Sequence, residues 1–253
     1  MFLDKEEDII GYLTCELKKA TPLLYNGNSF NKKVLRWIKN IEVFKNNSGY
    51  DALPPDFYSD EFSCMFDAMR INDSEKKKNY NPVKIRERVI EKELKDAGVL
   101  QPHMKLIVNS ESDDLQEHTY EQYKNNCGRV LKQHITKIDI WKKEHPTIQY
   151  KGLLVCDETE CYFEGKAVYM GDRSFTFWGS KSTLELHKPW MDSNFVEKVY
   201  DSKLDFVIWF SPYKPHSILL QKYKMTYPSV VILDTRYKRT DFERYDTEYL
   251  SSM

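Results

Sequence analysis

One apolar stretch decides the fold: residues 204–210 read LDFVIWF. Apolar side chains occur at both the odd and the even positions of this stretch, which point to opposite faces of a strand. This is typical of a strand that is buried on both faces of a sheet. Two further stretches have the same character, KGLLVCDE at 151–158 and SVVILDT at 229–235. Strands buried on both faces need a covering layer on each side, and helices usually supply it. The sequence therefore predicts a central sheet between helices.

A long helix is predicted immediately before the strand at 151–158. Residues 118–145 repeat apolar side chains, among them Tyr120, Tyr123 and Trp141, at spacings of three and four. Such a stripe predicts a helix whose inner face is buried against the sheet. Some of the many tyrosines are therefore expected in the core and not on the surface.

The same patterns extend to both ends of the chain. Helices are predicted at 4–19, at 31–45 and from Pro82 to Gly98. A buried strand is predicted at 62–71 and a short strand at 104–108. We therefore expect an α/β fold in a single domain over residues 1–253, with a mixed β-sheet flanked by helices at 55–235 and an N-terminal helical segment at 1–45 as a cap.

The part of the chain after the strand at 151–158 is less regular. The stretch CYFEGKAVYMGD at 161–172 predicts a hairpin that turns near Glu164-Gly165. A helix is predicted at 189–200, and the charged tail at 236–253 is expected on the surface.

Composition limits the classes of function. The formal net charge is −1 and the sequence pI about 6.6, so a protein that coats nucleic acid without specificity is not expected. Any basic binding surface must be local. Aromatic residues make up 14% of the chain, with 17 Tyr, and tyrosine is enriched at protein interfaces.

Cysteine use and hydropathy predict the compartment. The 5 cysteines have scattered spacings, and Cys156 and Cys161, the two that lie close, do not match a common zinc pattern. We expect free thiols in a reducing compartment. The N-terminus has no signal-length apolar core, so a cytoplasmic protein without a membrane partner is predicted. The abundance of Lys, Asn, Tyr and Ile is typical of an AT-rich genome, such as that of a mobile element.

The sequence lacks the motifs of several common reaction classes. The sequence contains no HExxH, no serine elbow, no GxGxxG and no Walker loop. Hydride transfer, P-loop chemistry and serine hydrolysis are therefore poorly supported.

Acidic residues lie at the end of the strand at 151–158 and shortly after it. Asp157 and Glu158 end that strand, and Glu164-Gly165-Lys166 comes shortly after. From 118 to 210 the predicted order is helix, three strands, helix, strand. This order and these residues resemble the core of the PD-(D/E)XK nuclease superfamily, in which an Asp and a Glu-x-Lys triplet on adjoining strands hold a divalent metal.

The resemblance implies a metal-dependent nuclease with Asp157, Glu164 and Lys166 as catalytic residues and Mg²⁺ as cofactor. Mg²⁺ binds carboxylate oxygens, polarises a phosphodiester and lowers the pKa of a bound water. The alternative is that Glu164 and Lys166 are solvated hairpin residues and that Asp157 and Glu158 form a turn.

A second pair of acidic segments resembles the same motif. Pro55-Asp56 is followed by Asp67-Ala68-Met69, with Met69 where the motif has Lys. A carboxylate such as Asp67 in an apolar strand needs a partner. Asp67 could join Asp157 and Glu158 as a metal ligand, or be the remnant of such a ligand in a protein that has lost catalysis. The alternative is a structural ion pair with Arg70, Arg86 or Arg88.

Basic residues on the long helix suggest contact with nucleic acid. Lys132, Lys142 and Lys143 could follow a phosphate backbone, although a solvated helix face explains them equally well.

Two hypotheses about function therefore stay open. The first is a metal-dependent nuclease-like protein that acts on or near nucleic acid phosphodiesters. The second is a non-catalytic binding or inhibitor protein on a nuclease-like fold, which engages a larger protein or nucleoprotein partner. Met69, the near-neutral charge and the tyrosine content favour the second hypothesis.

Overall fold

The computed structural model describes residues 6–25, 28–46, 55–71, 120–159, 161–164, 167–168, 176–177, 185–237, 243–245 and 250–252. The helices are α1 Glu6–Lys19, α2 Ser29–Lys39, α3 Tyr120–Glu144, α4 Ser193–Asp201 and α5 Ile218–Tyr223, with 3-10 turns at Ile41–Val43 and Lys214–His216. The strands are β1 Leu23–Leu24, β2 Lys45–Asn46, β3 Phe57–Ser59, β4 Cys64–Ile71, β5 Tyr150–Asp157, β6 Tyr162–Glu164, β7 Ala167–Val168, β8 Thr176–Phe177, β9 Glu185–Leu186, β10 Phe206–Phe210, β11 Val230–Asp234 and β12 Leu250–Ser252.

A mixed sheet of seven strands forms the centre, in the order β1-β11-β10-β5-β4-β3-β2. The strands β4, β5 and β10 are parallel neighbours, whereas β2, β3 and β4 form an antiparallel meander. Strand β10 lies inside the sheet between β5 and β11, and all of its residues are buried. The predicted fold class, a mixed sheet flanked by helices, is confirmed.

Each face of the sheet carries its own apolar layer. On one face, α1 and α2 pack on alternate strand residues such as Phe66 and Leu154. On the opposite face, α3 and α4 pack on residues such as Met69 and Leu153. This alternation follows from the two-residue period of strand side chains.

The long helix is confirmed over Tyr120–Glu144. The rings of Tyr120 and Tyr123 are buried, as the apolar stripe predicts.

On the face of the sheet opposite α3, Gly152 of β5 lets the Phe206 ring pack close to the β5 backbone, because a Cβ atom at Gly152 would lie 2.2 Å from that ring. A side chain at this position would push that ring out of the core.

The hairpin predicted around Glu164-Gly165 is wrong in its pairing. Strand β6 pairs with β9 and β12 in a sheet of three strands, and β7 pairs with β8. The tail was also expected on the surface, but β12 joins β6 and the Tyr245 ring is buried. These pairings are long-range, so local turn chemistry could not predict them.

The helix predicted from Pro82 and the strand predicted at 104–108 lie outside the described residues.

Among the described helices, none combines the length and the apolar composition that crossing a membrane requires.

Candidate functional site

The carboxylate of Asp157 lies at the carboxyl end of β5 and is completely buried. One oxygen, Oδ2, accepts from Lys214 Nζ at 2.8 Å, from the Trp209 indole at 3.0 Å and from the Tyr123 hydroxyl at 3.4 Å. The other, Oδ1, accepts from the backbone N–H and the hydroxyl group of Thr159, at 3.2 and 2.6 Å. A carboxylate offers about four lone-pair sites. The protein itself therefore uses the acceptor capacity of Asp157.

Lys214 reaches this carboxylate from the 3-10 turn that follows β10. Its ammonium group also lies over the rings of Tyr123 and Tyr227, 5.5 and 5.7 Å from their centroids. Burial is the larger cause, and the negative charge of Asp157 the second, of a raised pKa of the Tyr123 hydroxyl. This hydroxyl therefore stays protonated and donates. Sequence reasoning missed Lys214. Its only signal is its place in a short proline-bounded loop after the most apolar strand.

Glu158 is held by a different cation. The Arg70 guanidinium donates to both carboxylate oxygens of Glu158, at 2.7 and 3.0 Å. Arg70 was a predicted partner of Asp67, and that prediction is wrong, because Arg70 and Asp67 point to opposite faces of β4. The other two predicted partners, Arg86 and Arg88, lie outside the described residues.

Glu164 lies in a different sheet from Asp157. It ends β6, where its Cα atom pairs with those of Glu185 and Leu250 in the three-stranded sheet. Lys166 lies outside the described residues. The strand that carries Asp157 and the strand that carries Glu164 are thus not paired neighbours.

Asp56 and Asp67, by contrast, face each other across β3 and β4. Phe57 pairs with Phe66, which places Asp56 opposite Asp67 in the antiparallel register. The Asp56 amide donates to Asp67 Oδ1 at 3.2 Å, and the Ala68 amide donates to Asp56 Oδ2 at 2.7 Å. Each carboxylate is therefore fixed against the backbone of the other strand.

His134 of α3 completes this cluster. Its Nδ1 atom lies 2.5 Å from Asp67 Oδ2, within hydrogen-bond distance. Asp67 is buried, whereas the His134 side chain remains 20% exposed. A carboxylate that fixes one imidazole nitrogen leaves the other to exchange a proton with a neighbouring group. We refer to Asp56, Asp67 and His134 as the acidic–histidine cluster.

The four strands around this cluster, β2, β3, β4 and β5, are consecutive neighbours in one sheet. Three strands after a helix were predicted within 118–210, but there the strands after α3 are divided between sheets. The upstream region therefore has two carboxylates within a single sheet, Asp56 immediately before β3 and Asp67 on β4.

A second buried polar network lies beneath α3. His187 Nε2 lies 2.8 Å from Asp192 Oδ2, and the Tyr120 hydroxyl donates to the same oxygen. Asp192 also caps α4 by accepting from the Asn194 amide at 2.9 Å. Burial lowers the pKa of His187 against the opposing effect of Asp192. Burial alone would raise the pKa of Asp192, but the hydrogen bonds from His187, Tyr120 and Asn194 outweigh it and lower that pKa.

The outer face of α3 is basic. Arg129, Lys132, Lys137 and Lys143 are exposed on one side of the helix. Lys142, also predicted to bind nucleic acid, instead donates to the Pro146 carbonyl oxygen at 3.2 Å beyond the end of the helix. Two of the three predicted lysines thus face solvent on the helix that carries His134.

Within the described part of the chain, no three or more His, Cys, Asp or Glu side chains are arranged to hold a metal ion by themselves. Comparison of the chain with models of protein families, with curated proteins and with solved structures finds no match.

Proposed function

We propose that the protein is a divalent-cation-dependent, nuclease-like protein that acts on nucleic acid phosphodiesters at the acidic–histidine cluster. The observation that carries the proposal is the facing pair Asp56 and Asp67 on adjoining strands, with His134 bonded to Asp67. The proposal places the site here and not at Asp157, Glu164 and Lys166, because Asp157 accepts from five donors of the protein and Glu164 lies in a different sheet.

The ligand types at this cluster suit Mg²⁺. Asp56 and Asp67 would supply hard carboxylate oxygens, and Mg²⁺ commonly takes only one or two carboxylates, with water and substrate phosphates as the other ligands. A set of fewer than three acidic or histidine ligands therefore fits this cation. When bound, it supplies charge that polarises a phosphodiester and acidifies a water molecule.

The role of His134 follows from its bond to Asp67. Asp67 orients the imidazole through Nδ1, so that the other ring nitrogen accepts a proton from water at the exposed side of the cluster. In the resembling motif a Lys stands two residues after the acidic residue, and here that position is Met69. His134 would take over the proton chemistry.

The outer face of α3 would bind the substrate. Exposed cations on the helix that carries His134 can neutralise successive phosphates of a strand. This charge is local, which agrees with a net charge of only −1 for the whole chain.

The direct test is cleavage of labelled single- and double-stranded DNA and RNA by the pure protein with Mg²⁺ or Mn²⁺. We expect cleavage that EDTA abolishes and that Asp67→Asn reduces by at least about a hundredfold. The matched control is Asp139→Asn, which changes a partly exposed Asp on α3. No cleavage with either metal, or equal cleavage by Asp67→Asn, would reject the enzymatic proposal.

Met69 favours a second function, a non-catalytic protein that binds a larger protein or nucleoprotein partner. Its side chain is 1% exposed and packs into the apolar layer beneath α3, so this position has no cation. On this reading His134 and Asp67 serve only to join α3 to the sheet. Binding of labelled DNA, or of a nucleoprotein complex, without cleavage and without metal dependence would support it.

A further inference from the structure

An open cleft of about 400 Å³ lies against α2. Lys33 and Arg36 project from the helix beside it, and the rings of Trp37, Phe62 and Tyr150 form its apolar part. Its size falls within the range of small-ligand sites, which is roughly 300–1,000 Å³. It lies on the opposite face of the sheet from the acidic–histidine cluster, because α2 and α3 cover different faces.

The rings in this cleft are held in place by one another. Trp37 is almost fully buried, with its ring centroid 5.3 Å from that of Tyr150 and 6.4 Å from that of Phe62. Phe62 and Tyr150 are half-buried, so part of each ring faces the cleft. A planar apolar group could contact these surfaces without any rearrangement of the core.

The cations of the cleft lack carboxylate partners within the described part of the chain. Lys33 Nζ lies 4.2 Å from the Tyr150 ring centroid and 5.1 Å from that of Trp37, so it is positioned by cation–π contacts. Some other cations of the described residues are paired with acids, as Lys45 is with Asp60 and Arg70 with Glu158. Two cations left without an acid in a concave site favour an anionic ligand.

One acidic side chain, Glu61, also lines the cleft. With Lys33 and Arg36 it leaves the lining a net charge of +1. A carboxylate accepts hydrogen bonds from hydroxyl or amino groups. A ligand that has an anionic group, a planar ring and hydroxyl donors would satisfy all three parts of the lining.

We propose that the α2 cleft binds a nucleoside phosphate, either free or at an exposed position of a single strand. Lys33 and Arg36 bind the phosphate, Phe62 and Tyr150 contact the base, and Glu61 accepts from the sugar or the base. The proposal does not rest on the proposed function, since it uses none of the acidic–histidine residues.

Calorimetric titration of the full chain with AMP, adenosine and inorganic phosphate tests this inference. We expect AMP to bind at least about tenfold more tightly than adenosine or phosphate, because each of those lacks one of the recognised groups. The double variant Lys33→Gln/Arg36→Gln should weaken AMP binding at least about tenfold. The matched double variant Lys32→Gln/Lys39→Gln changes exposed lysines of the same helix outside the cleft and should stay within about twofold.

Three results would overturn the inference: no AMP binding at millimolar concentration, equal binding of AMP and phosphate, or equal losses in the two double variants. Circular dichroism of both double variants verifies that α2 is folded. Asp67→Asn should leave AMP binding unchanged, which separates this inference from the proposed function. A competition experiment with a short dT oligonucleotide distinguishes the two ligands. If the oligonucleotide displaces AMP, the cleft binds a single strand; if it does not, the cleft binds a free nucleotide.

Discussion

Lys214 Nζ and Asp157 Oδ2 lie 2.8 Å apart, and both side chains are removed from solvent. The pair joins the turn after β10 to the end of β5, two parallel neighbours in the sheet. Four further donors from Trp209, Tyr123 and Thr159 complete the environment of the carboxylate. The acidic residue that the sequence places first among catalytic candidates therefore links the carboxyl end of β5 to the turn after β10.

Lys214→Met should destabilise the protein strongly. It would leave the charge of Asp157 buried without its cation, and losses of about 3–5 kcal/mol in the free energy of unfolding are typical of that change. Urea unfolding monitored by circular dichroism measures the loss. Lys18→Met, at an exposed position of α1, is the control and should change the free energy of unfolding by less than about 0.5 kcal/mol. A Lys214→Met variant as stable as this control would contradict the structural role of the pair.

The stability of the protein should decrease as the pH falls below about 6.5, the ordinary pKa of histidine. Burial lowers the pKa of folded His187, so the unfolded chain binds this proton first. The free energy of unfolding then falls by up to about 1.4 kcal/mol per pH unit until the folded pKa is reached. The lowered pKa of Asp192 affects a more acidic pH range. The stability that ionised Asp192 contributes is fully present above about pH 3.8 and is lost as the pH falls below that.

Urea unfolding between pH 7.5 and 5.5 tests this pH dependence. His187→Gln should flatten the slope, because glutamine does not titrate and can still donate to Asp192. His216→Gln, at an exposed position, should leave the slope as it is. A slope that His187→Gln does not change, or a stability that rises as the pH falls, would contradict the assignment.

His134→Gln should separate proton transfer from cation binding. If His134 accepts a proton in the reaction, the variant should lower kcat by about 10²–10⁴. Its effect on Mn²⁺ affinity should stay within about threefold, since both carboxylates remain. Single-turnover cleavage and Mn²⁺ titration measure the two quantities. Equal losses in both would show that His134 acts only by positioning Asp67.

Substitutions on the outer face of α3 should weaken nucleic acid binding through charge alone. Each of Lys132→Ala and Lys137→Ala should reduce the slope of log K against log salt concentration by about 1. Lys142→Ala, which removes a side chain bonded to the Pro146 carbonyl oxygen, should leave the slope nearly unchanged. Fluorescence anisotropy with labelled DNA at several salt concentrations provides the slopes. If Lys142→Ala changed the slope as much as Lys132→Ala, contact along this face would be rejected.

The fold could be predicted where the signal is local. The buried strands at 151–158, 204–210 and 229–235 and the stripe of α3 follow directly from periodicity and hydropathy. The pairing of β6 with β9 and β12 could not be predicted, because short strands carry little pattern and their partners are distant in sequence.

The site was predicted only in part, for a related reason. The need of Asp67 for a partner was visible in its apolar surroundings, but the partner is His134, 67 residues further along the chain. Lys214 and Asp157 are likewise separated by 57 residues. Burial and opposite charge indicate that a partner exists, whereas its identity depends on how the sheet orders its strands.

The most direct test of the proposed function is titration of the pure protein with Mn²⁺, followed by electron paramagnetic resonance of the free ion. We predict saturable binding of one ion that Asp56→Asn and Asp67→Asn each weaken at least about tenfold. Asp157→Asn, if folded, should bind the ion as the unchanged protein does. Absence of saturable binding, or loss of binding in Asp157→Asn alone, would contradict a cation site at Asp56 and Asp67.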